Sequence, residues 1–274
     1  MTRKAVKEFR TWCSEQIELP ITKAYGGHYF SACQAVCIDA LRNTLPENEP
    51  DRTVALAALI QAASQCAAAP GHTAQPFQPT RTAKRYLEEA WGRDIISRTK
   101  DAFALLAGQV ALRSGRAEVG DANEAAKELR ERDTAFIDPP YSSVHYSRFY
   151  HVLETIACGE SGEVSGVGRY PALELRPRSR YSLKSESASA LDELLQTVAA
   201  RGAKAILTFP DHDCSNGLCG QLVRDIAQRH FLLREQVIES KFSTLGGTGD
   251  ERKGEAGRAA CRNANELVLV LEPR

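Results

Sequence analysis

The chain has 274 residues, with 35 basic and 35 acidic side chains and a formal net charge of zero. That balance excludes a protein that coats nucleic acid through bulk charge, while leaving local clusters of Lys and Arg able to bind phosphates. Hydrophobic residues at 43% suffice for a sizeable core and no apolar run is long enough to span a membrane. The start Met1-Thr2-Arg3-Lys4 leads into a charged amphipathic stretch rather than a secretory signal, so a cytoplasmic protein is expected.

In chain order, the first 114 residues read as a helical region. Residues 4–18 have helical spacing and no glycine, and Tyr25-Gly26-Gly27-His28 reads as a turn because no apolar strand precedes it. Ser31 is placed to cap a helix over 31–43, and an alanine-rich helix follows over 52–68. A loop with three prolines, 70–80, leads to a long helix over 81–113 carrying Trp91, Ile95, Ile96, Phe103 and Leu106.

From 116 onward strands and helices alternate, the pattern of an α/β domain with a mostly parallel sheet, assigned here to 115–274. The elements expected are a short strand ending at Asp121, a helix over 124–130, a strand over 134–137, a helix over 186–201, a strand over 203–209 and a helix over 216–229. Strands over 231–242 and 265–271 close the sheet as an antiparallel pair. The eight cysteines form no Cys-x-x-Cys pair. Cys214 and Cys219 near His212 allow a zinc site, but reduced thiols are the expectation and no metal ligand is assigned.

The most chemically specific run is Ala135-Phe136-Ile137-Asp138-Pro139-Pro140-Tyr141. An apolar strand ending in Asp138 delivers a carboxylate to the carboxyl edge of the sheet, where ligands bind in open α/β folds. Asp138 can accept a hydrogen bond from an NH2 group, and two prolines with fixed φ and no N–H donor stiffen the backbone and leave carbonyls to accept another. Tyr141 offers a flat ring for a base that has left its helix. A plain strand-to-loop turn is the competing reading of the same four residues. The segment 142–154, dense in aromatics and hydrogen-bonding groups, favours chemistry. So does the expectation of two consecutive strands ending in Asp at one edge.

The run from Asp138 through Glu154, with Gly120-Asp121 upstream, resembles the adenine-specific DNA methyltransferases of the DNA adenine methylase type. The resemblance implies a Rossmann-like sheet, S-adenosylmethionine as cofactor and DNA as partner. It implies that Asp138 and the Pro139 carbonyl orient the N6 amine, that Pro140 completes the rigid turn, and that Tyr141 stacks on the flipped adenine. Asp121 and Asp138 are then expected on the cofactor side. His145, Tyr146, Arg148, Tyr150, His72, Arg176, Arg178 and Arg180 are expected on the DNA side. A second basic group, Arg252, Lys253, Arg258 and Arg262, reads as another loop near the DNA backbone, with a solvated surface loop as the alternative.

The Asp narrows the chemistry without deciding adenine N6 against cytosine N4, and RNA stays open as substrate. One part of the family pattern is missing: a Phe-x-Gly-x-Gly turn after a first strand. Neither Tyr25-Gly26-Gly27 nor Leu245-Gly246-Gly247-Thr248-Gly249 fills that place. A partial Rossmann-like sheet is therefore expected, in a truncated or split enzyme whose cofactor loop comes from a second chain. The alternative is a non-catalytic DNA-binding remnant or scaffold.

Overall fold

The computed structural model describes residues 2–243 and 261–274, with the side chains of 241–243, 261 and 262 left aside. In chain order its helices are α1 (Arg3–Ser14), α2 (Pro20–Tyr25), α3 (Ala32–Asn43), α4 (Asp51–Cys66), α5 (Lys84–Trp91), α6 (Ile95–Ala107), α7 (Ala122–Ala125), α8 (Ser147–Cys158), α9 (Ser187–Ala200) and α10 (Gly220–His230). The strands are β1 (Thr134–Ile137), β2 (Val164–Ser165), β3 (Tyr170–Pro171), β4 (Lys204–Pro210), β5 (Phe231–Ser243) and β6 (Cys261–Pro273). Among the described residues no helix is long and apolar enough to cross a membrane.

The chain divides into two compact units. One comprises 1–115 with 146–177, the other 116–145 with 178–274. The first break, at 115, lies where helical spacing gives way to alternating strands and helices, and the second unit is discontinuous, without residues 146–177. Residues 146–177 belong with the helices, because α8 carries Val152 and Ile156 into their core.

The helical unit is organised by local caps and a few buried polar ties. Ser31 and Gln34 form a reciprocal capping box at the start of α3. The Gln34 amide also donates to Ala90 O (2.9 Å) and Arg93 O (2.8 Å), fixing α3 to the end of α5. The single helix expected over 81–113 is two: Gly92 ends α5, and Asp94 starts α6 by accepting from Ile96 N and Ser97 N. Helix α2 was not foreseen. Its first free N–H groups, on Ile21 and Thr22, are satisfied by the buried carboxylate of Asp39 on α3, at 3.0 and 2.8 Å.

The glycine turn after α2 is as expected. Gly27 sits at φ +72, and a Cβ on Gly26 would meet Cys13 Sγ at 2.6 Å. Tyr25, Tyr29 and Phe30 around it are fully buried, and Tyr29 donates to Thr73 O or Gly168 O, at 2.6 and 2.9 Å.

In the same turn burial holds the pKa of His28 down to about 3, with Arg10 and Arg169 adding to the effect. A group whose folded pKa lies below the ordinary value near ~6.5 contributes stability that is complete above that value and is lost as pH falls through the folded pKa. Urea unfolding of the wild type should therefore show stability draining away between about pH 6.5 and pH 3. A His28→Gln variant should show a flatter acid limb, and an identical limb would remove His28 from the account.

The second unit is α/β. Its sheet has the order β1-β4-β6-β5, with β1 parallel to β4 and the other two pairings antiparallel. The pair β5–β6 is the antiparallel ending expected. Side chains alternate along β4: Ala205, Leu207 and Phe209 are buried opposite Leu271, Leu269 and Leu267. Leu191, Leu195 and Val198 of α9 and Val223, Ile226 and Ala227 of α10 complete this core.

The strand expected at 116–121 does not form. That segment is exposed coil, and its charged and glycine residues offer no apolar alternation for a sheet to bury. Asp121 instead caps the short α7, accepting from Asn123 N and Glu124 N, and a 3-10 turn follows over Ala126–Glu128 in place of a helix over 124–130. The picture of two neighbouring strands both ending in Asp is thus corrected. The turn at 245–249 lies outside the described residues, as do Arg252, Lys253, Arg258 and the side chain of Arg262.

Candidate functional site

The register Ile137↔Leu207 sets the end of β1 beside Thr208 of β4, and Asp138 follows at the carboxyl edge. The Thr208 hydroxyl donates to Asp138 Oδ1 at 3.1 Å. That bond fixes one carboxylate oxygen; Oδ2 takes no donor from the described residues, and the side chain is exposed. A carboxylate held this way is an acceptor aimed at solvent, suited to an N–H from a ligand.

The prolines then turn the chain, and its next residues are gripped by the loop after β4. Asn216, fully buried, donates from Nδ2 to Pro140 O (2.7 Å) and Tyr181 O (2.9 Å). Ser143 N donates to Ser215 Oγ at 3.0 Å. Tyr141 lies between these two ties with half its surface exposed. None of the hydrogen bonds among the described residues ends on the Pro139 carbonyl, so the acceptor pair expected there, Asp138 Oδ2 and Pro139 O, is not taken by protein donors. Sequence reasoning missed Thr208, Ser215 and Asn216. The available signal was an Asn-Gly turn, Asn216-Gly217, following a strand that ends at the same edge, with Gly217 at φ +90.

The other expected residues of this unit divide. His145 Nδ1 accepts from Ser179 N at 3.3 Å, next to the exposed Arg178. Arg180 is bound by two oxygens of Glu193 (2.7 and 3.0 Å) and by Glu186 (3.3 Å), with Glu193 the chief cause of its raised pKa. A guanidinium already neutralised by two carboxylates is a poor phosphate ligand, so Arg180 is read as an intra-unit tie. Asp211 is likewise engaged. Arg224 forks onto it at 2.8 and 3.0 Å and onto Glu235 at 2.8 and 2.7 Å, and the same guanidinium holds Asp211 below the usual carboxylate range.

Tyr146, Arg148, Tyr150, His72 and Arg176 fall in the helical unit. Tyr146, at the N-cap of α8, and Tyr150 within it meet edge to face at 5.9 Å and border a cavity of about 490 Å³ that also takes in His151, Glu154 and Arg176. Arg148 and Arg176 each lie over the Tyr170 ring, at 5.1 and 5.3 Å. His72 packs edge-on against Phe149 at 4.9 Å and accepts from Ala74 N through Nδ1. Arg169, grouped in sequence with these arginines, is structural: it donates to Ala24 O (2.7 Å) and Lys23 O (3.2 Å).

Comparison with known proteins finds two relatives that share a stretch of sequence. The type II methyltransferase M.FokI of Planomicrobium okeanokoites is 38% identical over 78 residues, 27% of this chain and 12% of that protein. The modification methylase LlaI of Lactococcus lactis subsp. lactis is 40% identical over 67 residues, 24% of this chain and 10% of that protein. Part of this chain is similar to type II methyltransferases. The matched stretches span about an eighth and a tenth of those relatives' lengths. No family model matches the chain, and no solved structure matches it.

Two features bear on where S-adenosylmethionine was expected. Asp121, the expected contact, accepts through Oδ1 from the N–H groups of Asn123 and Glu124 at the start of α7. The Gly26-Gly27 turn folds back between Tyr25 and Phe30 within the helical unit, without a strand before it. Asp211 is not a substitute, given its fork with Arg224. Replacing Asp211 with Asn should lower stability by about 1–2 kcal/mol in urea unfolding, as expected for a partly buried bidentate pair. An unchanged unfolding midpoint would show that the fork with Arg224 contributes nothing to the fold.

Proposed function

We propose that this chain carries the amine-binding part of a DNA methyltransferase, which holds the exocyclic N6 amine of an extruded adenine for methylation. The observation that carries the reading is the carboxylate of Asp138 at the end of a sheet strand, with Oδ1 fixed by Thr208 and Oδ2 taking no donor from the described residues. The sequence similarity to type II methyltransferases supports the same class.

In this reading Oδ2 of Asp138 and the Pro139 carbonyl accept the two N–H groups of the amine, which favours rehybridisation of nitrogen and directs its lone pair away from the protein. Tyr141 stacks on the base. The residues act by orientation and require no covalent nucleophile. In the helical unit the cavity bordered by Tyr146, Tyr150 and Arg176, with Arg148 and His72, is assigned to DNA contacts, and in the α/β unit His145 and Arg178 are assigned to DNA contacts of their own. Arg180 is left out because its charge is already paired.

S-adenosylmethionine is the proposed methyl source. Its cradle is assigned to polypeptide outside the described residues, in a second chain or segment that carries the glycine turn. A non-catalytic DNA-binding role is the second reading. Incubation with tritiated S-adenosylmethionine and unmethylated genomic DNA tests the proposal without knowledge of the target sequence. Acid-precipitable label on DNA is expected once the cofactor-binding partner is present. DNA binding with no transfer under any such condition would favour the second reading.

A further inference from the structure

We infer that Asn216, assisted by Ser215, is the positioning residue that holds Tyr141 in place to receive the target base. The inference rests on the proposed function of the Asp138–Tyr141 turn and adds the element that fixes it.

Proline sets φ at positions 139 and 140 but leaves ψ after Pro140 free, so the two rings alone do not determine where Tyr141 points. A base-stacking ring held loosely must be ordered when the base arrives, at a cost in rotamer and backbone freedom. The structure supplies the missing constraint from the loop that follows β4. The Asn216 amide donates one proton to Pro140 O at 2.7 Å, immediately before Tyr141. Ser215 Oγ accepts from Ser143 N at 3.0 Å, two residues after it. Adjacent residues of one loop thus grip the other loop on both sides of Tyr141.

Asn216 is itself over-determined. Its second amide proton goes to Tyr181 O at 2.9 Å, its Oδ1 accepts from Leu218 N at 3.3 Å, and its carbonyl accepts from Ser187 Oγ at 2.8 Å. The side chain is fully buried, where each unmade bond is costly, so the amide cannot turn away without losing several partners. Only an amide fits: a carboxylate in the same place would set an acceptor against the carbonyls of Pro140 and Tyr181. Asn216 touches neither base nor cofactor in this account and acts through the backbone of the turn.

The test compares the full chain carrying Asn216→Asp or Ser215→Ala with wild type. Ser215 is exposed and its replacement leaves the core untouched, so it reports even where the Asn216 variant folds poorly. Hydrogen exchange followed by mass spectrometry should show the 141–145 peptide exchanging at least about tenfold faster in both variants, with β4 and α9 peptides unchanged. In the transfer assay kcat should fall on the order of a hundredfold for Asn216→Asp and several-fold for Ser215→Ala, with KM for DNA little changed. Unchanged exchange at 141–145 would overturn the clamp. Faster exchange with unaltered kcat would show that the clamp is structural only and overturn the positioning role. A wild-type chain that transfers no methyl under any condition would strike the proposed function instead, with exchange still deciding whether the clamp exists.

Discussion

Replacing Asp138 with alanine should lower methyl transfer to DNA by about a thousandfold, the upper range for removing one preorganised hydrogen-bonding group at a reacting centre. The fold should survive it. Asp138 is exposed and its only hydrogen bond among the described residues comes from Thr208 Oγ1, a group that can turn to water instead. Surface changes of this kind usually alter stability by less than about 0.5 kcal/mol. The loss should therefore appear in kcat with an unchanged unfolding midpoint. Asp138→Asn should lose less, because its amide oxygen can still accept one N–H while its NH2 turns to the Thr208 hydroxyl, which can accept as well as donate. A variant that kept wild-type kcat would show that the carboxylate does not contact the amine.

Phe209→Ala should produce the opposite pattern: a loss of about 3–5 kcal/mol of stability, the range for truncating a buried aromatic side chain. Phe209 is fully buried in β4, with Leu267 opposite it in register and the side chains of α9 and α10 sharing its core. It lies next to Thr208, so the cavity left behind forms directly beneath the strand that orients Asp138. For a domain whose total stability is typically about 5–15 kcal/mol, such a loss moves a large fraction of molecules towards the unfolded state at physiological temperature. Urea denaturation should show a lower midpoint with an unchanged slope. Transfer per folded molecule at low temperature should fall far less than in Asp138→Ala. A change below about 1 kcal/mol would mean that the sheet core repacks around the missing ring.

What could be read from the chain itself follows the range of the forces involved. The cap at Ser31, the helix 52–68, the strand 134–137 and the closing antiparallel pair are written in short-range spacing, and each forms within a few residues of its expected limits. The break at Gly92-Arg93-Asp94 was equally local, a glycine followed by an N-cap aspartate, but apolar spacing ran through it and masked it. Helix α2 was hidden because the carboxylate that starts it, Asp39, is 18 residues from Ile21. The false strand at 116–121 came from weighing an acidic terminus above the absence of apolar alternation.

The same division holds at the site. Asp138 was legible because strand and motif adjoin in sequence. Asn216 was not, because it reaches Pro140 across 76 residues. Arg180 looked functional as an isolated charge, and only the fold shows the carboxylates that occupy it.

The central claim, that Asp138-Pro139-Pro140-Tyr141 holds an exocyclic base amine for methylation, is tested most directly by identifying the labelled nucleoside. Genomic DNA incubated with tritiated S-adenosylmethionine and the wild-type chain, alone and with a candidate chain carrying the glycine turn, would be digested and separated by chromatography. The label should elute with N6-methyladenine and be absent from the product of Asp138→Ala. Label on the C5 position of cytosine, or equal label from both proteins, would contradict the assignment.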